Sequence, residues 1–310
     1  MATLRYHLVN VFAEAPLAGN PLCVFEDGSA LDDATMQALA LQFNLSETTF
    51  ILPATAPNAT ARVRIFTPTF EMPFAGHPTL GTAHVVRKLL NAGDSVRLEM
   101  KAGLIPVTAK RDEWTLEANA PRSHTPQPAR AEFAQMLGIA ATDVLDGALW
   151  VDTGSEQLIM PLASADAVAR CQPNAELLAR FSVGNKRNGL AYAWARVNAT
   201  TIRARFFFTK YGSVVEDPGT GSACANLGGW FVAQKEPLPL AVQVLQGDQS
   251  RATLPPFASQ RNLAAAQSDH AAGNEDATLL IHAQAKAART PDLIALKHLH
   301  GERQRLFLRN

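Results

Sequence analysis

Short runs rich in β-branched and aromatic residues dominate the first third of the chain, and helical periods interrupt them. Arg5–Phe12, Pro21–Phe25, Thr48–Leu52, Ala61–Thr67, Ser95–Met100 and Ile105–Lys110 read as strands. Between them Met36, Leu39, Ala40 and Phe43 fall on one helical face behind Asp32, whose side chain suits an N-cap. A second helix is predicted from Pro78, a residue suited to a first turn, with Gly93 as its stop. Many strands around few helices, without regular strand–helix–strand alternation, predict an α+β fold. Its sheets should be curled and mostly antiparallel, not doubly wound.

The pattern then repeats. Arg62-Val-Arg-Ile-Phe-Thr67 is followed by Glu71, Pro73, Gly76 and a helical run; Arg203-Ala-Arg-Phe-Phe-Phe-Thr209 is followed by Glu216, Pro218, Gly219 and another. The offsets of the Arg, Glu and Gly positions are 141, 145 and 143 residues. Gly19–Phe25 and Gly154–Met160 both join a glycine turn to an apolar run, and helical patterns follow at Asp32–Phe43 and Asn174–Phe181. Two pseudo-symmetric halves are expected, 1–122 and 129–302, divided by the Pro-rich stretch Pro121–Pro128, which reads as a linker. A strand near 303–309 is available to complete the first half. The segment 251–288 is rich in Ala, Gln and Asn, with weak periodicity.

Composition narrows the function. The chain has 310 residues, 47% of them hydrophobic, enough for a sizeable core. Lys+Arg and Asp+Glu number 28 each, so no basic excess invites nucleic acid or an acidic membrane, and a small-molecule partner is expected. Three cysteines, Cys23, Cys171 and Cys224, form no C-x-x-C pair; together with the absence of a signal-like start they predict a reduced, cytoplasmic protein. No apolar run is long enough for a membrane span.

Candidate chemistry gathers at a few strings. Gly219-Thr220-Gly221-Ser222 and Gly76-His77-Pro78-Thr79 read as tight loops entering helices, whose free N–H groups attract carboxylates or phosphates. If the halves pack about a pseudo-twofold axis, both would face one cleft and suit a carboxylated substrate. Cys224 stands where a dinucleotide fingerprint needs its third glycine, and no Gly-Lys-Ser/Thr loop occurs. Val151-Asp152-Thr153-Gly154-Ser155 matches an aspartic protease string, but no second copy exists to share a proton, so it reads as a turn. Glu47, between a helix end and a strand, is either a solvated charge or a carboxyl drawn inward by Leu45 and the strand. A partly buried Glu with a raised pKa is what a proton shuttle needs. His84 reads as a packed or surface residue, and the pair His298, His300 lacks a third ligand, so no metal is expected.

Taken together, Val9–Phe12, Gly19–Pro21, Asn44–Phe50, Arg64–Pro68, Phe74–Thr79 and Glu216–Ser222 resemble the phenazine-biosynthesis isomerase (PhzF-like) family, in order from about Tyr6 to Gly247. The resemblance implies a diaminopimelate epimerase-like fold: each half a curled sheet around a central helix, with the site between the halves. It implies a cofactor-independent isomerase with Glu47 as acid/base, and His77 and Asp217 beside it. Asn20, Ser46, Gly76, Pro78, Thr79, Gly219, Thr220, Gly221 and Ser222 would bind a small, cyclic carboxylate. It also implies a homodimer. The alternative is a non-catalytic metabolite-binding or regulatory protein on the same scaffold. The epimerase relatives carry catalytic thiols where this chain reads Ala75-Gly76-His77 and Asp217-Pro218-Gly219, so two-thiol racemisation is disfavoured and Cys224 is expected to pack. After Gly247 the family pattern of two clear strands is not legible.

Overall fold

The computed structural model describes residues 3–13, 19–111, 113–237, 240–247, 260–268, 277–283 and 306–307. The chain divides into two compact units, one of residues 1–116 with 284–310, the other of residues 117–283.

In the first unit, strands Thr3–Leu4 (β1), Tyr6–Val11 (β2) and Asn20–Phe25 (β3) precede helix Asp33–Phe43 (α1). Strands Thr48–Leu52 (β4), Ala61–Phe66 (β5) and Glu71–Met72 (β6) then lead to helix Gly76–Leu89 (α2). Ser95–Met100 (β7), Gly103–Lys110 (β8) and Glu113–Glu117 (β9) follow. The pairs β2/β3, β4/β5, β5/β6, β7/β8 and β8/β9 are antiparallel, while β3/β4 and β5/β7 are parallel.

Helix α1 forms where its sequence signals place it. Asp32 Oδ1 accepts the Thr35 N–H at 2.8 Å, and Asn44 stops the helix in the left-handed region (φ 51°). Its buried Met36, Leu39 and Ala40 share a core with Cys23, Phe25, Phe50 and Phe66. Phe25 stacks on Phe50 with ring centroids 4.8 Å apart. Helix α2 is different: every residue from Gly76 to Val86 is buried, as for a helix enclosed by its sheet. It packs on β2, β3, β4, β5 and β7. Its close approach depends on Gly81, where a Cβ would lie 2.6 Å from Leu22 Cδ2 and 2.8 Å from Val11 Cγ2. We expect Gly81→Ala to destabilise the protein by about 1–3 kcal/mol in urea unfolding. An unchanged midpoint would mean that the neighbouring side chains yield freely.

The second unit opens with Arg122–His124 (β10) and helix Arg130–Leu137 (α3), then Leu149–Asp152 (β11) and Glu156–Pro161 (β12). Helices Ala165–Arg170 (α4) and Ala175–Phe181 (α5) precede Leu190–Arg196 (β13), Thr201–Lys210 (β14) and Ser213–Asp217 (β15). Helix Gly221–Ala233 (α6) and strands Leu240–Gln246 (β16), Gln260–Ser268 (β17) and Ala277–Ala283 (β18) complete it. From β11 to β18 the pairings repeat those from β2 to β9, sense for sense: β12/β13 and β14/β16 are parallel, the rest antiparallel. Helix α6 takes the place of α2, with Gly221 and Ala223–Phe231 buried. This is the expected α+β architecture, two halves of one topology, each a curled sheet with a buried helix.

The repeated Arg and Glu now have a physical meaning. Arg64 donates Nε and Nη2 to the two carboxylate oxygens of Glu71 at 2.8 and 2.7 Å. Arg205 does the same to Glu216 at 3.0 and 2.7 Å. Each guanidinium also lies over a phenylalanine, Phe66 at 5.0 Å and Phe207 at 4.7 Å. The pair ties β5 to β6, and β14 to β15, just before each buried helix begins.

Four sequence readings need correction. The Pro-rich stretch is not a free linker: β10 pairs antiparallel with β11, His124 opposite Trp150. The units divide after Leu116, and residues 117–128 fall in the second. Gly93 does not stop α2; the helix ends at Leu89 and Asn91 takes the left-handed turn (φ 51°). Two strands, β17 and β18, do form after Gly247, with an antiparallel register from Asn262↔Ala283 to Ser268↔Ala277. Near the chain end Leu306–Phe307 (β19) pairs antiparallel with β1. His298 and His300 lie outside the described residues.

Candidate active site

Glu47 owes its position to the way α1 stops. The left-handed turn at Asn44 reverses the chain, Leu45 packs against the core of the first unit, and Thr48 enters β4 fully buried. Held between these anchors, Glu47 is drawn inward. Its side chain is 16% exposed, and Oε2 lies 3.2 Å from His77 Nδ1. Ser46, one residue earlier, faces solvent, while Asn20 is fully buried at the start of β3.

His77 is the second residue of α2 and is buried. Burial pushes its imidazole down to about 3, against a smaller opposing pull from the Pro21 backbone. The ring is therefore neutral near pH 7. It stands beside the Glu47 carboxyl without a full positive charge.

The start of α2 carries little of its own to satisfy its N–H donors. Ala75 at the N-cap has no side chain to cap it, and the first turn holds no acidic residue. Pro78 has no N–H, and Thr79 turns both its N–H and its hydroxyl back to the Ala75 carbonyl, at 3.2 and 2.6 Å. Thr79 thus supports the helix start. The N–H groups of Gly76 and His77 are the ones such a turn presents to an anion.

The start of α6 reaches the same condition by another route. Thr220 is a good capping residue, yet its hydroxyl does not cap. It donates to Asp217 Oδ2 at 2.5 Å and accepts from Gln246 Nε2 at 2.8 Å. Gln246 Nε2 also donates to the Asp217 carbonyl at 3.0 Å, so Asp217, Gly219 and Thr220 belong to a turn held from β16. Gly221 and Ser222 open the helix with no acidic neighbour in the first turn. Ser222 Oγ accepts from Gln157 Nε2 at 2.8 Å, and Gln157 in turn accepts from Asn226.

Three readings of the bystanders hold. Cys224 is fully buried and its thiol is pushed up to about 12 by burial, so it packs and supplies no thiolate. For Asp152, burial pushes the carboxyl up, but Lys186 Nζ at 2.5 Å and the Gly154 N–H at 2.8 Å outweigh it and hold it below its ordinary value. A salt-bridged, ionised Asp at the end of β11, just before the turn, is not half of a proton-sharing pair. His84 is packed, edge-on to Trp114 at 6.1 Å.

Within the first unit, then, Glu47 and His77 come together; within the second, Asp217, Thr220 and Ser222 share one turn. The sequence reading missed Gln157, Asn226 and the contacts of Gln246. A faint signal existed: Ser222 and Asn226 are four apart on one helix face, and Gln157 is a polar residue at the head of the apolar run Leu158–Met160.

Comparison with known proteins shows what the chain as a whole is similar to. Residues 9–253 match the family model described as phenazine biosynthesis-like protein. An uncharacterized isomerase of Pasteurella multocida is 41% identical, the match covering 79% of this chain and 82% of the relative. The trans-2,3-dihydro-3-hydroxyanthranilate isomerase of Pseudomonas aeruginosa is 33% identical over 78% of this chain and 85% of its own. In fold, the crystal structure of a Bacillus anthracis phenazine biosynthesis protein of the PhzF family superposes with a TM-score of 0.78. It is 24% identical, and the match covers 92% of this chain and 97% of that one. No helix among the described residues is long and apolar enough to cross a membrane. The chain belongs to the phenazine biosynthesis-like family and is an enzyme of the isomerase class.

Proposed function

We propose that the protein is a cofactor-independent isomerase that moves a proton within a small, cyclic carboxylate, with Glu47 carrying the proton. The observation that supports this most is the half-buried Glu47 carboxyl at 3.2 Å from His77 Nδ1, on a ring that burial keeps neutral. A shuttle must be proton acceptor and donor in turn. A neutral imidazole can meet both forms, giving Nδ1–H to the carboxylate or accepting from the acid.

In the proposed step the Glu47 carboxylate takes a proton from one ring carbon, and the electron pair left behind moves into the adjoining double bond. The protonated Glu47 then returns the proton to the carbon at the far end of that system. Nothing is oxidised or reduced overall. The backbone donors at the start of α2 serve to hold the charge that builds up during transfer, and in the second unit the start of α6, with Ser222, is read as a carboxylate-binding turn. Asp217, fixed by Thr220, is assigned to that same turn.

The substrate named for the Pseudomonas aeruginosa relative, trans-2,3-dihydro-3-hydroxyanthranilate, is the first compound to try. Incubated with the protein in D2O and followed by proton NMR, it is expected to shift its double bond and gain deuterium at one carbon. The same assay extends to a panel of unsaturated cyclic carboxylates. No deuterium gain in any of them overturns the reading.

A further inference from the structure

The hydrogen bonds behind Ser222 run in one direction, because backbone groups with a single possible role anchor them. The Thr153 N–H can only donate, and it reaches Asn226 Oδ1 at 2.9 Å, joined there by Thr153 Oγ1 at 2.7 Å. The Ser155 carbonyl can only accept, and it takes Asn226 Nδ2 at 2.7 Å. Together these fix which end of the Asn226 amide is oxygen and which is nitrogen. Asn226 Nδ2 also donates to Gln157 Oε1 at 2.5 Å, so the Gln157 amide is oriented too. Its nitrogen faces Ser222 and donates to Oγ at 2.8 Å. Thr153, Gln157 and Asn226 are 4%, 2% and 0% exposed, which makes a reversed or broken link costly.

Ser222 has one proton to give and two lone pairs. Gln157 occupies a lone pair and leaves the O–H uncommitted. We propose that Gln157 is a positioning residue that keeps the Ser222 O–H available to donate to its ligand, so that this position favours an acceptor oxygen, as in a carboxylate. The turn Asp152–Ser155, which the fold would need only as a hairpin, is then the fixed end of that chain. The proposal rests on Ser222 being a substrate contact, as read above.

The test uses affinity for 3-hydroxyanthranilate, a stable aromatic analogue of the relative's named substrate, measured by calorimetry on the full chain. Gln157→Glu preserves shape but reverses the last link, since a carboxylate accepts the Ser222 proton. Binding at pH 8 is expected to fall by about ten- to a hundredfold, the worth of one hydrogen bond to a charged group. Acidification should bring the variant back toward wild type, because the introduced carboxyl, once protonated, donates again. A purely structural role predicts no such recovery. Gln157→Met, which removes the donor without adding charge, should weaken binding in the wild-type background but by less than about twofold in Ser222→Ala. This second cycle decides the matter if Gln157→Glu does not fold. Equal losses from Gln157→Met in both backgrounds, wild-type affinity in Gln157→Glu at pH 8, or no binding by the wild type would overturn the proposal. Affinity is read here, not turnover, so failure of Glu47 to transfer protons leaves this result standing, and the reverse.

Discussion

Glu47→Gln is expected to bind its carboxylate as the wild type does while solvent deuterium exchange falls by about 10²- to 10⁴-fold. The substitution keeps the volume of the side chain and a polar atom for His77 Nδ1, 3.2 Å away in the wild type. It removes only the capacity to take up and release a proton. Isomerisation and exchange should fall together, because both pass through the same protonated carboxyl. Exchange undiminished at wild-type affinity would remove Glu47 from the chemistry. His77, neutral and buried at the head of α2, would then be the next base to consider.

The second large effect concerns stability. Glu216→Gln should lower the unfolding free energy of the second unit by about 3–5 kcal/mol, the usual loss when one member of a buried ion pair is removed. Arg205 is 7% exposed, and its remaining partners include the Ala169 and Cys171 carbonyls at 3.1 and 2.8 Å, which carry no net charge. The equivalent Glu71→Gln should lose less, about 1–2 kcal/mol, because Arg64 keeps Asp33 at 2.5 Å and is nearer to solvent. Urea unfolding followed by fluorescence can separate the two: Trp150, Trp194 and Trp230 report on the second unit and Trp114 on the first. A loss below about 1 kcal/mol for Glu216→Gln would mean that water relaxes around Arg205.

How much of this could be read from the residues depended on distance along the chain. Helix α1 was legible to its ends, because Asp32, Met36, Leu39 and Asn44 act within a few turns of one another. The duplication was legible because each half preserves the Arg, Phe and Glu of its ion pair. Strand β10 was not: Arg122–His124 sits among prolines and becomes a strand only because β11, more than twenty residues on, offers an edge. Glu47 was recognisable as a candidate, while its inward turn depended on Leu45 joining a core that no short window reveals. Gln157 meets Ser222 across 65 residues and Thr153 meets Asn226 across 73, so that network has no local signature. Strand β17 escaped notice because its Ala, Gln and Asn content lacks the alternation that marks a half-buried strand, and β18 is a short run, Thr278-Leu-Leu-Ile281, inside the same Ala-rich segment.

The pairing of β1 with β19 sets an order on synthesis. The second unit is one continuous stretch, residues 117–283, and all of its strands have left the ribosome before the first unit has its last one. Leu4 must wait for Leu306, its partner in the antiparallel register. At about 5–20 residues per second that delay is roughly 15–60 s. The half that begins first is therefore finished last. During the wait the edge of β1 that β19 will cover is an unpaired strand on a nascent chain.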